Sequence, residues 1–531
     1  MAQRFELTIL PRGGLNTKAH QADSSLMRVV DQREIPNGIA MSVETHDVGG
    51  YNWDNNEVIG EVKKCDGELK FTTETFSTAG TTQALDLLYD GTNRNMIGVR
   101  NGKFYKVDSD YGVTNIDASS PVTFHTDMPI TLLQYGAYII IASLSLTPYK
   151  WMHGDANLTK LILAGGATEY KFRYMEQFKN CVIGAYSDQT NGNIDIRWSD
   201  PLTAFATFSF PAANQLYKPD NDIGITGIKR LGNVACLVYG DNSIYSMDYY
   251  PDYTPIFGLT EQITGVGPRY GWSIVDTGKS HLFFDENKGF VQYAGGRQYE
   301  VVSEAIEPLL TTMQQSYYKL IQGTTVHYTD EVAWCVPLDY ATSNTAVLYY
   351  NTNTKQWRRE NRAADIIAYK NYLTVFTWTE FVRYNGTTWP TDNRTWNQSI
   401  AGTGKVYYAK SDGYVYEIYG SQWNTVGYSA YRIEPIISAP DPTRYKRAQE
   451  FHLLGTREGA WSVDVYWRGG DTEQETLAST WELLGSTTQA TTSSQVIYFD
   501  KEKKYHQFKY GTDLKDEPFT VNKVIVKGYI S

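Results

Sequence analysis

Four acidic residues lie at the ends of strand-like runs, where paired carboxylates can perform general acid–base chemistry: Asp195, Asp200, Asp285 and Glu286. Glycosidases use two such groups, one on each side of the bond that they cleave, and β-propellers host enzymes of this kind. Acidic residues are also common at turns, because their side chains accept hydrogen bonds from the nearby backbone. The sequence pairs none of the four, so a glycan-hydrolysing site and ordinary turn residues both stay open, and turn residues are the commoner case.

Histidines and cysteines, which support catalysis or bind metals, are widely scattered. The histidines are His20, His46, His125, His153, His281, His327, His452 and His506. The cysteines are Cys65, Cys181, Cys236 and Cys335. The sequence shows no metal-ligand spacing, no CxxC pair, no P-loop and no G-x-S-x-G motif. We therefore predict reduced core cysteines, no catalytic or metal-binding residue, no cofactor, and a protein that is not an enzyme.

The composition favours a large, ordered protein. Of 531 residues, 13 are Trp, 41 are Tyr and 20 are Phe, an aromatic content of 14% that argues against disorder. Charged residues make up only 20%, which argues against a coiled coil. The net charge of −11 argues against a general nucleic-acid binder, because such proteins neutralise phosphates. No signal-peptide core or membrane-spanning apolar run is found, so we expect a soluble protein made in a cytoplasm.

Short runs rich in Val, Ile, Tyr, Phe and Trp alternate with tight turns along most of the chain. The turns carry dipeptides that tolerate positive φ: Asp66-Gly67, Asp90-Gly91, Asn101-Gly102, Asn385-Gly386 and Asp412-Gly413. The runs form groups of three strands, repeated about every 40–50 residues as in propeller blades. The groups span residues 85–108, 131–152, 171–199, 227–247, 271–293, 332–358 and 365–384, and a further hairpin spans residues 405–418.

A single small sheet of this kind cannot cover both of its faces, whereas a ring of sheets buries each face against a neighbour. The sequence therefore predicts an all-β fold in which residues 81–422 form a β-propeller of about six or seven blades. A series of ordinary β-sandwiches is the alternative. The N-terminal segment 1–80 and the C-terminal segment 423–531 are predicted to form an additional β platform or sandwich.

Two local predictions accompany this fold. Apolar residues between Pro308 and Ile321 follow helical spacing, which predicts one packing helix that ends near Gly323. Alternating runs in the C-terminal segment predict one half-buried antiparallel sheet with an exposed polar loop at residues 487–494. The runs span residues 463–467, 496–499, 506–510 and 521–526.

Several longer stretches resemble one known family. They are Gly13–Thr17 with Ile35–Asn37, Arg173–Met175 with Arg197–Asp200, Gly232–Tyr245, Ile263–Pro268 with Leu282–Tyr293, Tyr299–Glu307 and Leu348–Trp357. Together they resemble the tail nozzle, tail hub or packaged-DNA stabilisation proteins of short-tailed, podovirus-type phages. The resemblance covers most of residues 10–455, and no catalytic motif is carried over from the family.

The resemblance implies a structural role in the virion tail. Proteins of this family form a ring, typically a hexamer, that extends the DNA channel below the portal–adaptor, retains packaged DNA and lets it pass during ejection. Implied partners are further copies of the chain, the portal–adaptor protein, tail fibres or spikes, a needle or plug, and DNA in transit, with no stable membrane insertion. Since a basic lumen would bind phosphates, we predict a lumen lined mainly by Asp, Glu and uncharged residues. A host-surface propeller that binds glycans or a receptor is the alternative function.

Overall fold

The computed structural model describes most of the chain, and every structural statement below refers to the described residues. These are 3–11, 13–18, 26–35, 38–54, 62–76, 79–89, 94–108, 111–117, 124, 128–161, 170–200, 210–219, 223–326, 329–370, 405–418, 428–438, 441–456, 462–488, 494–513 and 519–531. The fold is all-β: small sheets dominate, and the helical segments are short. This confirms the all-β part of the predicted fold class.

Seven four-stranded antiparallel sheets follow one another from Thr82 to Ile418, and they are numbered here in chain order. Sheet 1 contains β7 (Thr82–Tyr89), β8 (Arg94–Arg100), β9 (Lys103–Val107) and β10 (Val113–Asn115). Sheet 2 contains β11 (Thr131–Tyr135), β12 (Tyr138–Ser143), β13 (Leu146–Met152) and β14 (Thr159–Lys160). Sheet 3 contains β15 (Phe172–Phe178), β16 (Cys181–Ser187), β17 (Asp195–Trp198) and β18 (Gln215–Tyr217).

The remaining sheets of this series have the same strand order, except that an early strand completes the last one. Sheet 4 contains β19 (Gly227–Leu231), β20 (Ala235–Tyr239), β21 (Ser243–Tyr249) and β22 (Phe257–Thr264). Sheet 5 contains β23 (Val275–Asp276), β24 (His281–Asp285), β25 (Gly289–Tyr293) and β26 (Glu300–Val301). Sheet 6 contains β27 (Gln322–Val326), β28 (Glu331–Val336), β29 (Ala346–Asn351) and β30 (Trp357–Glu360). Sheet 7 contains β31 (Ile366–Lys370), β32 (Lys405–Ala409), β33 (Val415–Ile418) and β6 (Glu68–Lys70).

Tight turns with positive φ allow consecutive strands to pair. Asn101 (φ 47°) and Gly102 (φ 72°) link β8 to β9, and Lys179 (φ 50°) and Asn180 (φ 61°) link β15 to β16. Two successive residues of positive φ give a hairpin the twist that its strands require. The Asn101-Gly102 dipeptide therefore forms the turn that the sequence predicts.

Neighbouring sheets cover each other's faces. The first strands contact one another in sequence, β7 with β11, β11 with β15, β15 with β19, β19 with β23, β23 with β27 and β27 with β31, and β31 also contacts β7. Large rings fill the spaces between sheets: Phe290 of sheet 5 and Trp334 of sheet 6 have centroids 4.4 Å apart, and Trp198 of sheet 3 lies 5.3 Å from Phe257 of sheet 4. Each sheet thus gains from its neighbours the burial that it lacks alone.

The two ends of the chain share one larger sheet. This eight-stranded sheet contains β1 (Gln3–Leu10), β2 (Met27–Ile35), β3 (Gly38–Thr45), β4 (Trp53–Asp54), β5 (Val62–Lys64), β35 (Lys446–Thr456), β38 (Ser494–Lys503) and β40 (Thr520–Ile530). A terminal four-stranded sheet packs on it and contains β34 (Ala430–Ile433), β36 (Ser462–Gly470), β37 (Glu482–Thr488) and β39 (Tyr505–Thr512). Phe5, Phe451 and Phe508 belong to the buried core between them.

The helical segments are few among the described residues. They are α1 (Glu307–Leu310), α2 (Glu473–Ala478) and the 3-10 turns Gly192–Ile194, Gly271–Ser273, Glu304–Ile306 and Gln315–Leu320. The prediction of one continuous helix from Pro308 to Ile321 is therefore wrong. Thr312 interrupts it, because its carbonyl accepts a hydrogen bond from the Tyr340 N–H (2.8 Å) and its hydroxyl accepts one from the Asp339 N–H (2.9 Å).

The predicted strand groups need three further corrections. Residues 271–275 form mainly a 3-10 turn rather than a strand. Sheet 6 begins with β27, which lies just after the predicted helix and was not predicted as a strand. In sheet 7, β31 pairs with β32 of the 405–418 hairpin, whereas the predicted runs at 372–376 and 381–384 lie outside the described residues. Grouping by sequence distance fails here, because β31 and β32 pair although they are far apart in the sequence.

The C-terminal strands form two sheets rather than the single predicted sheet. β36 and β39 belong to the terminal four-stranded sheet, whereas β38 and β40 belong to the eight-stranded sheet. Alternation identifies which side chains of a strand are buried, but not which sheet the strand joins. Of the predicted polar loop at 487–494, the first two residues end β37 and Ser494 begins β38, whereas 489–493 lie outside the described residues.

Removing a ring from between two sheets tests how far stability depends on this packing. Trp334 is fully buried, and its indole N–H donates to the Ser273 carbonyl at 3.0 Å. We expect Trp334→Ala to lower the free energy of unfolding by about 3–5 kcal/mol, because it leaves a cavity and an unpaired carbonyl. Tyr340→Ala, at a 68% exposed position, should change it by less than about 1 kcal/mol. Denaturant unfolding measures both variants. An equal loss of unfolding free energy in Trp334→Ala and Tyr340→Ala would contradict this role of inter-sheet packing.

Candidate functional site

The first pair of sequence-predicted carboxylates stabilises sheet 3. Asp195 is fully buried, and it accepts hydrogen bonds from the Ser187 hydroxyl (2.6 Å), the Arg197 guanidinium (2.9 Å) and the Gln215 amide (2.7 Å). Asp200 accepts a bond from the Asn214 amide at 3.3 Å. Asp195 is the first residue of β17, whereas Asp200 lies two residues beyond its end, and the two carboxylates bond to different side chains.

The second pair stabilises a turn in sheet 5. The Asp285 carboxylate accepts backbone N–H bonds from Asn287 (2.8 Å), Lys288 (3.0 Å) and Gly267 (3.0 Å). Glu286 forms an ion pair with Arg269 at 3.6 Å and accepts a hydrogen bond from Gln315. Asp285 thus has the role that the turn interpretation predicts, whereas Asp195, Asp200 and Glu286 bond to side chains.

The described histidines lie in separate environments. His281 is buried between the Tyr239 hydroxyl (2.5 Å) and the Arg230 carbonyl (2.9 Å), and burial lowers its pKa to about 4. His46 contacts the Gly14 carbonyl, His153 contacts Asn95, and His452 contacts Glu450. His20, His125 and His327 lie outside the described residues.

The described residues provide few groups that could support metal binding or thiol chemistry. Among the described residues, no group of three or more His, Cys, Asp or Glu side chains could hold a metal ion. All four cysteines are free and buried, as predicted, and burial raises the pKa of the Cys181 thiol to about 11. A raised pKa keeps a thiol protonated and weakly nucleophilic at neutral pH.

A polar cavity of about 460 Å³ lies where the seven sheets meet. It is lined by the first strands of six sheets and by the 3-10 turn that precedes β23 of sheet 5. Its charged lining is balanced: Asp86 and Glu176 are acidic, Lys229 and Arg230 are basic, and Glu176 and Lys229 are 3.8 Å apart. Strands of six sheets and the turn that leads into sheet 5 therefore lie around one cavity.

A buried ion network, called here the Arg362 network, joins the N-terminal segment to sheets 6 and 7. The fully buried Arg362 guanidinium donates to Glu360 (3.0 Å), Glu68 of β6 (3.3 Å) and the Tyr408 hydroxyl (2.9 Å). Lys410 contacts Glu68 from the other side. Burial alone would lower the pKa of Arg362, but Glu360 and Glu68 hold it above its ordinary value, so the charge persists.

A second network, called here the Arg432 network, joins the N-terminal segment to the terminal four-stranded sheet. Arg432 of β34 donates to Glu434 (2.8 Å) and to the Thr45 carbonyl (3.0 Å). Glu434 also accepts hydrogen bonds from the Thr45 hydroxyl and from the Tyr510 hydroxyl (2.6 Å). The same N-terminal segment therefore carries charged contacts to both parts of the molecule.

Sequence reasoning did not identify these networks. Their members are ordinary Arg and Glu residues, and Glu68 and Arg362 are 294 positions apart in the chain. One signal in the sequence could have found them, the Arg-x-Glu-x-Arg spacing at Arg358, Glu360 and Arg362. Residues two apart in a strand lie on the same face, so this spacing predicts opposite charges side by side.

The loop between β21 and β22 carries the tyrosines Tyr250 and Tyr253 and is called here the aromatic loop. Tyr250 and Tyr253 have ring centroids 6.1 Å apart, and Tyr253 is 71% exposed. Tyrosine is enriched in protein interfaces, because its ring is apolar and its hydroxyl bonds to water or to a partner. The loop is therefore a candidate contact surface.

Comparison with known proteins leaves the family open. No protein-family model matches the chain, and no curated protein matches it. None of the helices formed by described residues is long and apolar enough to cross a membrane.

Removing the Arg362 guanidinium should reduce the stability of the fold. We expect Arg362→Met to lower the free energy of unfolding by about 3–5 kcal/mol, because Glu68 and Glu360 would stay buried without their charged partner. Arg447→Met removes a half-exposed arginine that pairs with Asp500, and it should leave the free energy of unfolding nearly unchanged. Chemical denaturation of Arg362→Met and Arg447→Met measures the change in unfolding free energy that each substitution causes. A cost below about 1 kcal/mol for Arg362→Met would refute a stabilising role.

Acid should weaken the terminal sheets through His506. Its Nδ1 accepts the Trp467 indole N–H at 3.0 Å, and burial lowers its pKa to about 4. The unfolded chain has the ordinary value of about 6.5, so stability is lost as pH falls from there towards 4. His506→Gln keeps an acceptor without the titration, and we expect a smaller fall in melting temperature between pH 7 and pH 5 than in the wild type. An equal fall in melting temperature in His506→Gln and in the wild type would contradict the assignment of this effect to His506.

Proposed function

We propose that this protein is a structural component of a short-tailed phage tail, a nozzle or hub that forms a ring around the DNA path. The ring extends the channel below the portal–adaptor, retains packaged DNA and lets it pass during ejection. The protein acts in the virion tail after synthesis in the bacterial host cytoplasm. It is not an enzyme, and it needs no cofactor.

One observation carries this proposal: both chain ends enter a single eight-stranded sheet, and buried ion networks fix the N-terminal segment to sheets 6 and 7 and to the terminal four-stranded sheet. Such an arrangement stiffens the whole chain. A conduit under internal pressure needs a body that resists deformation, and well-packed β structure supplies it. The sequence resemblance supplies the specific assignment to a tail.

We further propose that sheets 1–7 form a closed seven-bladed β-propeller. Three findings support this: the first strands contact one another in sequence, β31 contacts β7, and strands of six sheets line one cavity together with the turn that leads into sheet 5. The pairing of β6 with β33 joins an early strand to the last sheet, which is a common way to fasten a ring of sheets.

The charge distribution agrees with DNA passing without being held. On the face of the eight-stranded sheet opposite the terminal four-stranded sheet, Lys527 pairs with Glu6 at 3.6 Å and Arg447 pairs with Asp500. Lysine and arginine that already neutralise carboxylates release fewer counterions from DNA, so they add less affinity. The predicted lumen of Asp, Glu and uncharged residues remains part of this proposal.

Other virion proteins complete the assembly that we propose. The portal–adaptor protein contacts one end of the ring, fibres or spikes attach outside, and a needle or plug closes the channel. The aromatic loop with Tyr250 and Tyr253 suits such protein contacts. The same loop favours a second candidate function, binding of a host glycan or receptor, since exposed aromatic rings also stack on sugars.

The mass of the particle tests the proposed function. Six copies of the 60.2-kDa chain amount to about 360 kDa, and we expect this mass in mass photometry, either alone or after addition of the portal–adaptor complex of its virus. Retention of monomers under both conditions would contradict the ring. Monomers that also bind components of a glycan array would favour the second candidate instead.

A further inference from the structure

A second cavity, called here the Asn344 pocket, has a volume of about 210 Å³. Thr82 begins β7, Gln322 begins β27 and Asp365 immediately precedes β31, so the pocket lies where the first strands of sheets 1, 6 and 7 start. Gln322 lines both this pocket and the central polar cavity. The Asn344 pocket therefore adjoins the central cavity.

The wall of this pocket contains two buried acceptors without a donor in the described part of the chain, the side-chain oxygens of Asn344 and Gln322. Asn344 is only 6% exposed, and its Nδ2 donates to the carbonyls of Leu320 (3.0 Å) and Asp365 (3.1 Å). These two bonds fix the amide, so its Oδ1 stays an acceptor. Because a buried acceptor without a donor is costly, two of them in one wall indicate a bound molecule that supplies donors.

The charges of the wall favour neither a metal cation nor an anion. Among the described lining residues, the charged ones are Asp365 and Lys319. Asp365 already accepts the Thr82 N–H (2.9 Å) and lies 3.8 Å from the Arg100 guanidinium. Lys319 repels a cation, and the two amide oxygens repel an anion. A neutral molecule with several donors fits this wall best.

The rest of the lining combines hydroxyl groups with an aromatic ring, as pockets for polar ligands with an apolar face do. The exposed residues Thr81, Thr342 and Ser343 carry hydroxyls, which both donate and accept hydrogen bonds. Tyr317 supplies a half-buried ring, on which the C–H face of a sugar can pack.

The size of the pocket suits one sugar ring. Its 210 Å³ correspond to about seven water molecules at about 30 Å³ each, which is room for a single six-membered ring with its hydroxyl groups.

We propose that the Asn344 pocket binds one neutral hexose, either as a free sugar or as the end of a glycan chain. Two sugar hydroxyls donate to Asn344 Oδ1 and Gln322 Oε1, and the apolar face of the sugar packs on Tyr317. This inference adds a binding site to the proposed structural role and does not depend on the ring. The site is also separate from the aromatic loop, since that loop lies between β21 and β22 of sheet 4.

Saturation-transfer-difference NMR on the full chain tests this site. The probes are glucose, galactose and mannose, together with maltose, lactose and mannobiose, which carry the same hexoses at a chain end. We expect signals from at least one of these hexoses. Gln322→Leu removes an oxygen that has no donor within the described chain, so the fold should be retained while binding weakens by about tenfold. Thr342→Trp places a large ring at an exposed position of the lining and should abolish binding.

The matched control is Gln262→Leu in β22, a half-buried glutamine outside this pocket, which should bind the same sugar as the wild type does. Melting temperatures of all three variants check that each is folded. Tighter binding of a disaccharide than of its free hexose would assign the pocket to glycan ends, and the reverse would assign it to free sugars. Either result supports the proposal.

Two results would overturn the sugar site. One is the absence of signals from every probe, which would leave the pocket to ordered water. The other is equal binding by the wild type, Gln322→Leu and Thr342→Trp. Neither result affects the proposed ring, because the mass of the particle is measured without sugar.

Discussion

A four-stranded sheet that is apolar on both faces is stable only when other sheets cover both, and this requirement organises the molecule. Phe290, Trp334 and Trp357 illustrate it, because their rings fill the space between sheets 5 and 6. Every sheet from 1 to 7 depends in this way on the sheets beside it. Stability is therefore shared along the series, which gives a rigid body rather than a set of independent domains.

Buried charges add a second level of coupling. The N-terminal segment passes from the eight-stranded sheet to β6 in sheet 7, and Arg362 and Arg432 hold it at each end of this path. Such charges contribute little net stability when paired, but they penalise any arrangement that separates them. They thus specify one relative position of the terminal sheets and the seven-sheet body, which the proposed ring would require.

Much of the fold was predictable from the sequence, because turn dipeptides and alternating apolar runs are local signals. Asn101-Gly102 illustrates the local kind, since the dipeptide itself supplies the positive φ of its turn. Long-range partners were not predictable: β6 completes sheet 7 from far upstream, and Thr312 stops a helix by bonding to the loop after β28. The buried networks were missed for the same reason, since arginine and glutamate resemble surface residues until their burial is known.

The proposed role rests on copies of this chain encircling DNA, and a cryo-EM map of the intact virion tests that claim most directly. The account predicts six copies below the portal–adaptor, with their eight-stranded sheets around the axis and density for DNA inside. A map that places the chain only on peripheral fibres, or that shows no copies surrounding the DNA path, would contradict it.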